Sequence, residues 1–350
     1  MPATSERVLV GLSGGADSAA AVLLLQQQGY TVIGGVLDLS PAHAGAVTAA
    51  REAADALGIS LEILRAHDRF EQRVIAPFCA SYAAGRTPNP CIVCNPTVKF
   101  RLLCEAADRL DCACIATGHY ARIARAGDRF CVRRAVCAPR DQSYMLYRLT
   151  QRQLSRLLLP LGDAPDKQTV RETGRRAGLH AADAPDSQEI CFIPDGDYAA
   201  YIERRNGPCP PGDFIGPDGA VCGRHQGVLR YTVGQRKGLG LALGRPVYIR
   251  RIDAAANRVY LADDDGAWFS TVRLDSVCWQ LPPAGGAPFA AQVKIRSAAP
   301  PAEALVTPTG PDTAELAFAL PVRAPAPGQS AVLYRDELVL GGGFIASAQV

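Results

Sequence analysis

The 350-residue chain has no apolar run approaching the roughly 20 residues that a bilayer span requires. It opens on a short polar stretch, Met1 to Arg7, and not on a basic and then apolar leader. Both absences predict a soluble, cytoplasmic protein with no membrane partner. No internal repeat and no disordered tract is visible, which argues against a solenoid or an extended linker protein. A strong overall charge is missing too, since the formal net charge is only +3. Without a secretory leader, the twelve cysteines read as thiols and not as a disulfide framework.

What is present suits a globular chain of two or three domains, with 48% apolar and 20% charged residues. The first 150 residues alternate strand and helix: "RVLVGL", "SAAAVLLLQQQGY", "TVIGGVLDL", "AVTAAREAADALGI", "LEILRA", "CACIATGHYARI". That order predicts an α/β domain with a parallel sheet covered on both faces. "RIARAGDRFCVRRAV" reads as a hairpin turning at Gly127-Asp128, and "QSYMLYRLTQRQLSRLLLPLG" and "KQTVRETGRRAGL" read as helices. After about Asn206 the texture becomes short strands broken by Gly and Pro. It suggests a small, mainly β central domain and then a C-terminal β barrel. The expected domains are 1–205, 206–267 and 268–350.

Charge is uneven along the chain. Tyr201 to Tyr260 holds ten arginines or lysines, among them Arg224, Arg230, Arg236 and Lys237, against four acids. Such a basic middle suits a polyanionic partner, or is simply a solvated face. Cys104, Cys112, Cys114, Cys131 and Cys137 lie in apolar or alternating surroundings and read as small buried hydrophobes.

The stretch "GLSGGADS", Gly11 to Ser18, joins the first strand to the first helix. A Walker loop would need a lysine where Ala16 stands, and a dinucleotide fingerprint needs a glycine spacing that Gly11, Gly14 and Gly15 do not have. What remains is a corner whose glycines let backbone N–H groups close on an anion. Ser13 and Ser18 add hydroxyls, and the helix start adds positive partial charge. Asp17 is suited to holding Mg²⁺ and not to touching phosphate itself. Such a corner fits departing pyrophosphate, with the chemistry at the α-phosphate; a plain Ser/Asp helix cap is the simpler alternative.

SGGxDS after an N-terminal strand resembles the PP-loop ATP pyrophosphatases, which adenylate a carbonyl oxygen and release pyrophosphate. Further stretches narrow the likeness: "GRTPNPCIVCNPTVKF" (Gly85 to Phe100), "ATGHYAR" (Ala116 to Arg122), "RDQSYMLYRL" (Arg140 to Leu149), "DSQEICFIP" (Asp186 to Pro194) and "PGQSAVLY" (Pro327 to Tyr334). Together, and in this order, they resemble the tRNA-specific 2-thiouridylase (MnmA/TrmU) family. The resemblance implies ATP-dependent activation of the C2 oxygen of the wobble uridine in tRNA. Sulfur then enters from a cysteine persulfide to give 2-thiouridine, with AMP and pyrophosphate released.

By position, the resemblance makes Cys191 the persulfide carrier and Cys94 its partner, the two ending as a disulfide. A helix beginning near Thr97 is expected to lower the pKa of Cys94. Gly11, Leu12, Ser13, Gly14, Gly15, Ala16, Asp17 and Ser18 would surround ATP, Leu37 would pack on adenine, and Gly118 would admit close backbone approach. Asn89, Pro90 and Cys91 would border the target base, and His119 would face tRNA. Arg140, Asp141 and Gln142, with Arg296, Ser297 and Gln329, would contact the anticodon stem-loop.

Some members of the family carry Asp at position 91, and an aromatic residue usually follows the arginine at 296. Cys91 and Ser297 therefore depart from its pattern. Cys91-x-x-Cys94 is half a zinc site at most, with no second CxxC. An iron–sulfur cluster on Cys91, Cys94 and Cys191 is the stronger alternative. A persulfide donor protein is the implied partner. The other readings are a different PP-loop adenylating enzyme, either an iron–sulfur-dependent tRNA thiolase or an amide-forming ligase, and a non-catalytic tRNA-binding protein.

Overall fold

The computed structural model describes residues 6–176 and 190–349. The chain divides into two compact units: one runs to Val74 and adds Cys91–Gly196 and Glu337–Leu340, and the other takes Ile75–Pro90, Asp197–Asp336 and the residues from Gly341 onward.

The first unit has the expected α/β fold with a parallel sheet. Its strands are β1 (Arg7–Gly11), β2 (Thr31–Asp38), β3 (Leu61–Arg65), β4 (Cys114–Thr117), the hairpin β5 (Arg122–Ala126) and β6 (Arg129–Arg133), and β7 (Leu157–Leu158). A parallel sheet forms in the order β3-β2-β1-β4-β7. Val8, Leu9 and Val10 are fully buried, as expected of a strand covered on both faces, so β1 shows no polar alternation.

Helix α1 (Ala16–Gln27) is alanine-rich because it is enclosed on two sides. Ala19 and Val22 pack with Val8, Val10 and Val36 of the sheet. Ala20 packs with Tyr120, Leu161 and Val170. Val170 belongs to the helix Lys167–Arg176, which lies against α1. Helix α2 (Ala44–Leu57) stops at Gly58, whose left-handed φ of 64° closes its last turn.

Two sequence expectations change in detail. "CACIATGHYARI" is two strands, because the chain turns at Gly118 between β4 and β5. The segment after Arg140 is not one long helix: it forms a 3-10 turn (Ser143–Leu146), a short helix (Gln151–Leu154) and β7. Thr150 and Gln153 form a reciprocal capping box that starts the short helix afresh. Of "KQTVRETGRRAGL", the residues after Arg176 lie outside the described residues.

The second unit is mainly β. Strands β8 (Gly212–Ile215), β9 (Val221–His225), β10 (Tyr248–Asp253) and β11 (Arg258–Ala262) form a sheet in the order β10-β11-β8-β9. Phe214, Tyr231, Val247, Ile249 and Val259 lie in the core beneath it. Strands β12 (Trp268–Trp279), β13 (Phe289–Lys294), β14 (Ala302–Gly310), β15 (Thr313–Arg323), β16 (Ser330–Arg335) and β17 (Leu338–Gln349) follow. Their order β12-β15-β14-β13-β16-β17, with β17 pairing back to β12, closes a six-stranded barrel. Closure removes the exposed edges of the sheet. No helix among the described residues is long and apolar enough to cross a membrane.

Candidate active site

Sheet register sets the glycine corner. β1 ends at Gly11, opposite Gly35 of β2 and Thr117 of β4, so the chain leaves the sheet at its C-terminal edge between two parallel neighbours. Gly14 has φ +80°, and a Cβ there would lie 2.5 Å from the Cβ of Ala49 in α2. Conformation and space therefore both demand glycine. Ser18 Oγ accepts from the Ser13 N–H at 3.1 Å and donates to the Gly15 carbonyl at 2.9 Å. The first helical bond of α1 is Ala19 N–H to Gly15 O, 3.2 Å, which leaves the amides of Ala16, Asp17 and Ser18 ahead of it. A Cβ on Gly118 would lie 2.7 Å from the Asp17 carbonyl carbon, so the turn after β4 rests on the first turn of α1. Leu37, half-buried near the end of β2, lies on the same sheet edge. The geometry is that of an anion cradle.

Asp17 has partners that sequence reasoning missed. Lys167 Nζ lies 2.6 Å from each of its carboxylate oxygens, and the Tyr120 hydroxyl donates to Oδ1 at 2.8 Å. The Lys167 side chain is only 10% exposed. It arrives through the packing of its helix on α1, and nothing in "DKQTV" distinguishes it from a solvated lysine.

Cys91 and Cys94 sit on the helix Pro90–Cys94, which continues through a π-helical segment, Asn95–Lys99, into the helix Phe100–Arg109. Pro96 has no N–H to give to the preceding turn, a physical reason for the widened backbone. Asn95 Nδ2 donates to the Met145 carbonyl at 2.9 Å and Thr97 Oγ1 to the Val93 carbonyl at 2.6 Å, which fixes the segment. Cys191 follows Ile190 in a tight turn, where the Ile193 N–H donates to the Ile190 carbonyl at 2.7 Å. Phe192 meets Phe70 edge-on at 5.5 Å and anchors that turn.

The three thiols are electrostatic neighbours. Burial pushes the Cys94 thiol up to about 12, with charge on Cys191 and Cys91 raising it further and Lys99 opposing. Cys191 is pushed up to about 11, chiefly by desolvation and then by Cys91, again opposed by Lys99. Cys191 is nevertheless solvent-exposed, so one side is open while surrounding chain desolvates the sulfur. The expectation that a helix start near Thr97 lowers the Cys94 pKa is corrected: the helix begins at Pro90, and Cys94 lies inside it and buried. The local cation is Lys99, five residues further along. Among the described residues no three His, Cys, Asp or Glu side chains are arranged to hold a metal ion.

The remaining expected contacts fall in varied surroundings. Asn89 is half-buried and Pro90 is buried at the start of the Cys91 helix, whereas Cys91 is exposed. His119 accepts from or donates to Thr117 Oγ1 at 2.8 Å, lies 5.8 Å from Phe100, and is held neutral because desolvation and then Lys99 lower its pKa to about 3. Arg140 is exposed. Asp141 binds the Ala135 and Ser143 amides at 3.0 and 3.2 Å, and Gln142 accepts from the Tyr120 amide at 2.9 Å, so both side chains organise local turns.

In the second unit, Arg296 donates to the carbonyls of Val233 and Ala324, and Gln329 Nε2 donates to the Thr87 carbonyl at 2.9 Å. Ser297 beside Arg296 is half-buried. Of the basic middle, Arg236 and Lys237 are not buried, whereas Arg230 is paired with Glu203 at 2.7 Å. Two open clefts, one along Arg236–Val247 and one beside β3, are lined by no residue of the glycine corner and no cysteine.

Comparison with known proteins places these features in a family. Residues 6–195 match the model for a tRNA methyl transferase HUP domain, 199–263 the matching PRC-barrel domain, and 269–345 an aminomethyltransferase β-barrel domain. A tRNA-specific 2-thiouridylase MnmA of Desulforudis audaxviator is 44% identical over 97% of this chain and 98% of its own length. One from Heliobacterium modesticaldum is 42% identical over 97% of this chain and 92% of its own. The words "methyl transferase" in the domain descriptions and "thiouridylase" in the relatives' names disagree. The near full-length relatives decide it. A 4-thiouridine synthetase solved with RNA and ATP is 16% identical at a TM-score of 0.36, covering 57% of this chain and 50% of that one, too slight a likeness to carry an argument.

Proposed function

The chain belongs to the tRNA-specific 2-thiouridylase family, and from that premise we propose that it is a tRNA sulfurtransferase that makes 2-thiouridine at the wobble position. ATP lies with its phosphates on Ser13–Ser18 and its adenine toward Leu37 and Gly118. The C2 oxygen of uridine attacks the α-phosphate and pyrophosphate leaves, which turns a poor leaving group into AMP. The outer sulfur of a persulfide on Cys191 bonds to C2 as AMP departs with the oxygen. The Cys94 thiolate bonds to the inner sulfur, so the sulfur–sulfur bond breaks and a Cys94–Cys191 disulfide remains. A thiol reductant must then regenerate the pair, and a persulfide donor protein must recharge Cys191.

The observation that carries this reading is the placement of Cys94 and Cys191 within reach of each other's charge in the same unit as the glycine corner. Asn89, Pro90 and Cys91 border the uridine, which leaves its stack at a cost of a few kcal/mol that a loop nucleotide minimises. His119, being neutral, contributes a hydrogen bond and no charge. Arg140, Asp141 and Gln142 in the first unit, and Arg296, Ser297 and Gln329 in the second, each contact the anticodon stem-loop, and Arg224, Arg236 and Lys237 add salt-sensitive attraction for phosphates. Mg²⁺ bound with the nucleotide would take most of its ligands from phosphate and water. In the loop, Asp17 is the carboxylate that could add one, and it fits only once its bond to Lys167 is rearranged.

The test mixes protein, ATP, a persulfide source and unmodified tRNA, then digests the RNA and measures thiolated nucleoside by mass. Cys191→Ser is expected to abolish product while ATP and tRNA affinity stay within about twofold. Undiminished thiolation in that variant rules the scheme out.

A further inference from the structure

The glycine corner places an acid, Asp17, at the mouth of a phosphate cradle and contains no cation of its own. The structure supplies one from far along the chain. We propose that Lys167 is the cation that binds the pyrophosphate end of the nucleotide, with Asp17 positioning it. This rests on the nucleotide reading of the corner given above.

Lys167 Nζ lies 2.6 Å from both carboxylate oxygens of Asp17, the second residue of α1, whose own amide is among those that precede the first helical bond. An anion drawn to those amides meets the ammonium as well. The carboxylate that holds the lysine is itself fixed, since the Tyr120 hydroxyl donates to it at 2.8 Å and the Tyr120 amide donates to Gln142 at 2.9 Å. The Lys167 ammonium also lies 5.7 Å from the Tyr120 ring centre, so one residue steadies both members of the pair.

A desolvated ion pair adds little net stability over an apolar contact of the same size. A purely structural link between α1 and the helix Lys167–Arg176 is already supplied by Ala20, Leu161 and Val170. A lysine in this place acts as a compact point charge suited to phosphate. It stands in for the loop lysine of the Walker arrangement, but arrives from a different helix.

The test titrates inorganic pyrophosphate and AMP separately into the full chain by calorimetry, with and without Mg²⁺. Lys167→Met is expected to weaken pyrophosphate at least tenfold and AMP less than twofold, with Lys167→Arg recovering most of the loss. Lys167→Gln, which keeps a hydrogen-bonding group against Asp17, is read the same way should the methionine variant fold poorly. Pyrophosphate affinity unchanged within twofold overturns the proposal. So does a parallel loss of both ligands with a lowered Tm, the signature of a strut. Because neither tRNA nor sulfur enters the measurement, absence of thiolation in the wild type would strike the proposed function and leave this result standing.

Discussion

The glycine corner and the thiol pair share one unit and are prepared for chemistry to different degrees. In the corner, the serine hydroxyls and the Asp17–Lys167 pair are already bonded into place around the amides that begin α1, so an arriving phosphate meets fixed dipoles. The thiols are the opposite case. Cys94 and Cys191 are neutral at physiological pH because burial opposes their ionisation, and Lys99 only partly offsets it. A permanent thiolate would be open to oxidation, whereas a phosphate cradle of hydroxyls and amides carries no such hazard. The contrast implies that nucleotide binding is ready-made, while sulfur chemistry waits for a change at the thiols.

The contrast would be tested most severely at Gly14. Gly14→Val forces a β-branched residue into φ +80° and into Ala49, and should cost about 1–3 kcal/mol in backbone strain before the overlap is counted. Nucleotide binding should fall below detection in a titration, and a denaturant melt should show the lost stability. Normal ATP affinity would mean that the corner is not as rigid as its hydrogen bonds imply.

A smaller effect is expected at Lys99. Lys99→Met removes the charge that opposes burial at both thiols, so alkylation by iodoacetamide at pH 8 should slow several-fold, roughly tenfold for each pKa unit gained. Lys99→Arg should stay near wild type. Peptide mass spectrometry reads each cysteine separately, and equal rates in all three proteins would remove Lys99 from the account.

The pH dependence follows from the same shifts. Thiolate at Cys191 should rise about tenfold per pH unit between 7 and 9 and level only near its pKa of about 11. Cys94, at about 12, should lag behind. Both are raised in the folded state, so the stability they contribute is intact below pH 9 and is lost as pH climbs toward 11–12, because the unfolded thiols ionise first. A melting series across that range gives the sign directly.

The smallest effect concerns His119. With its pKa lowered to about 3, it should cause no inflection in activity between pH 5 and 8. Its linkage has the opposite sign to that of the thiols. The unfolded histidine takes up a proton below about 6.5 while the folded one does not, so stability falls as pH drops from there toward 3. A titration of its ring protons by NMR that centred near 6.5 would show the ring to be solvated.

Local chemistry made much of this legible in advance. Glycine at 14, the serines around it and the apolar, non-alternating β1 depend on short-range sterics and burial, which a string of residues displays. The Gly127-Asp128 turn between β5 and β6 is of the same kind. The long helix expected after Arg140 failed because Thr150 and Gln153 reset the backbone with a capping box, a competition between local options that periodicity alone does not resolve.

By itself, then, the amino-acid order determined the alternating α/β unit, the β unit that follows and the glycine-rich corner between the first strand and the first helix. Only the tertiary structure decided that Lys167 closes on Asp17, that Lys99 is the cation beside the thiols, and that Cys94 is buried within a helix and not poised at its start. The physical reason is range. Turn geometry and strand burial are fixed by neighbours along the chain, whereas desolvation and ion pairing depend on which distant segments pack together.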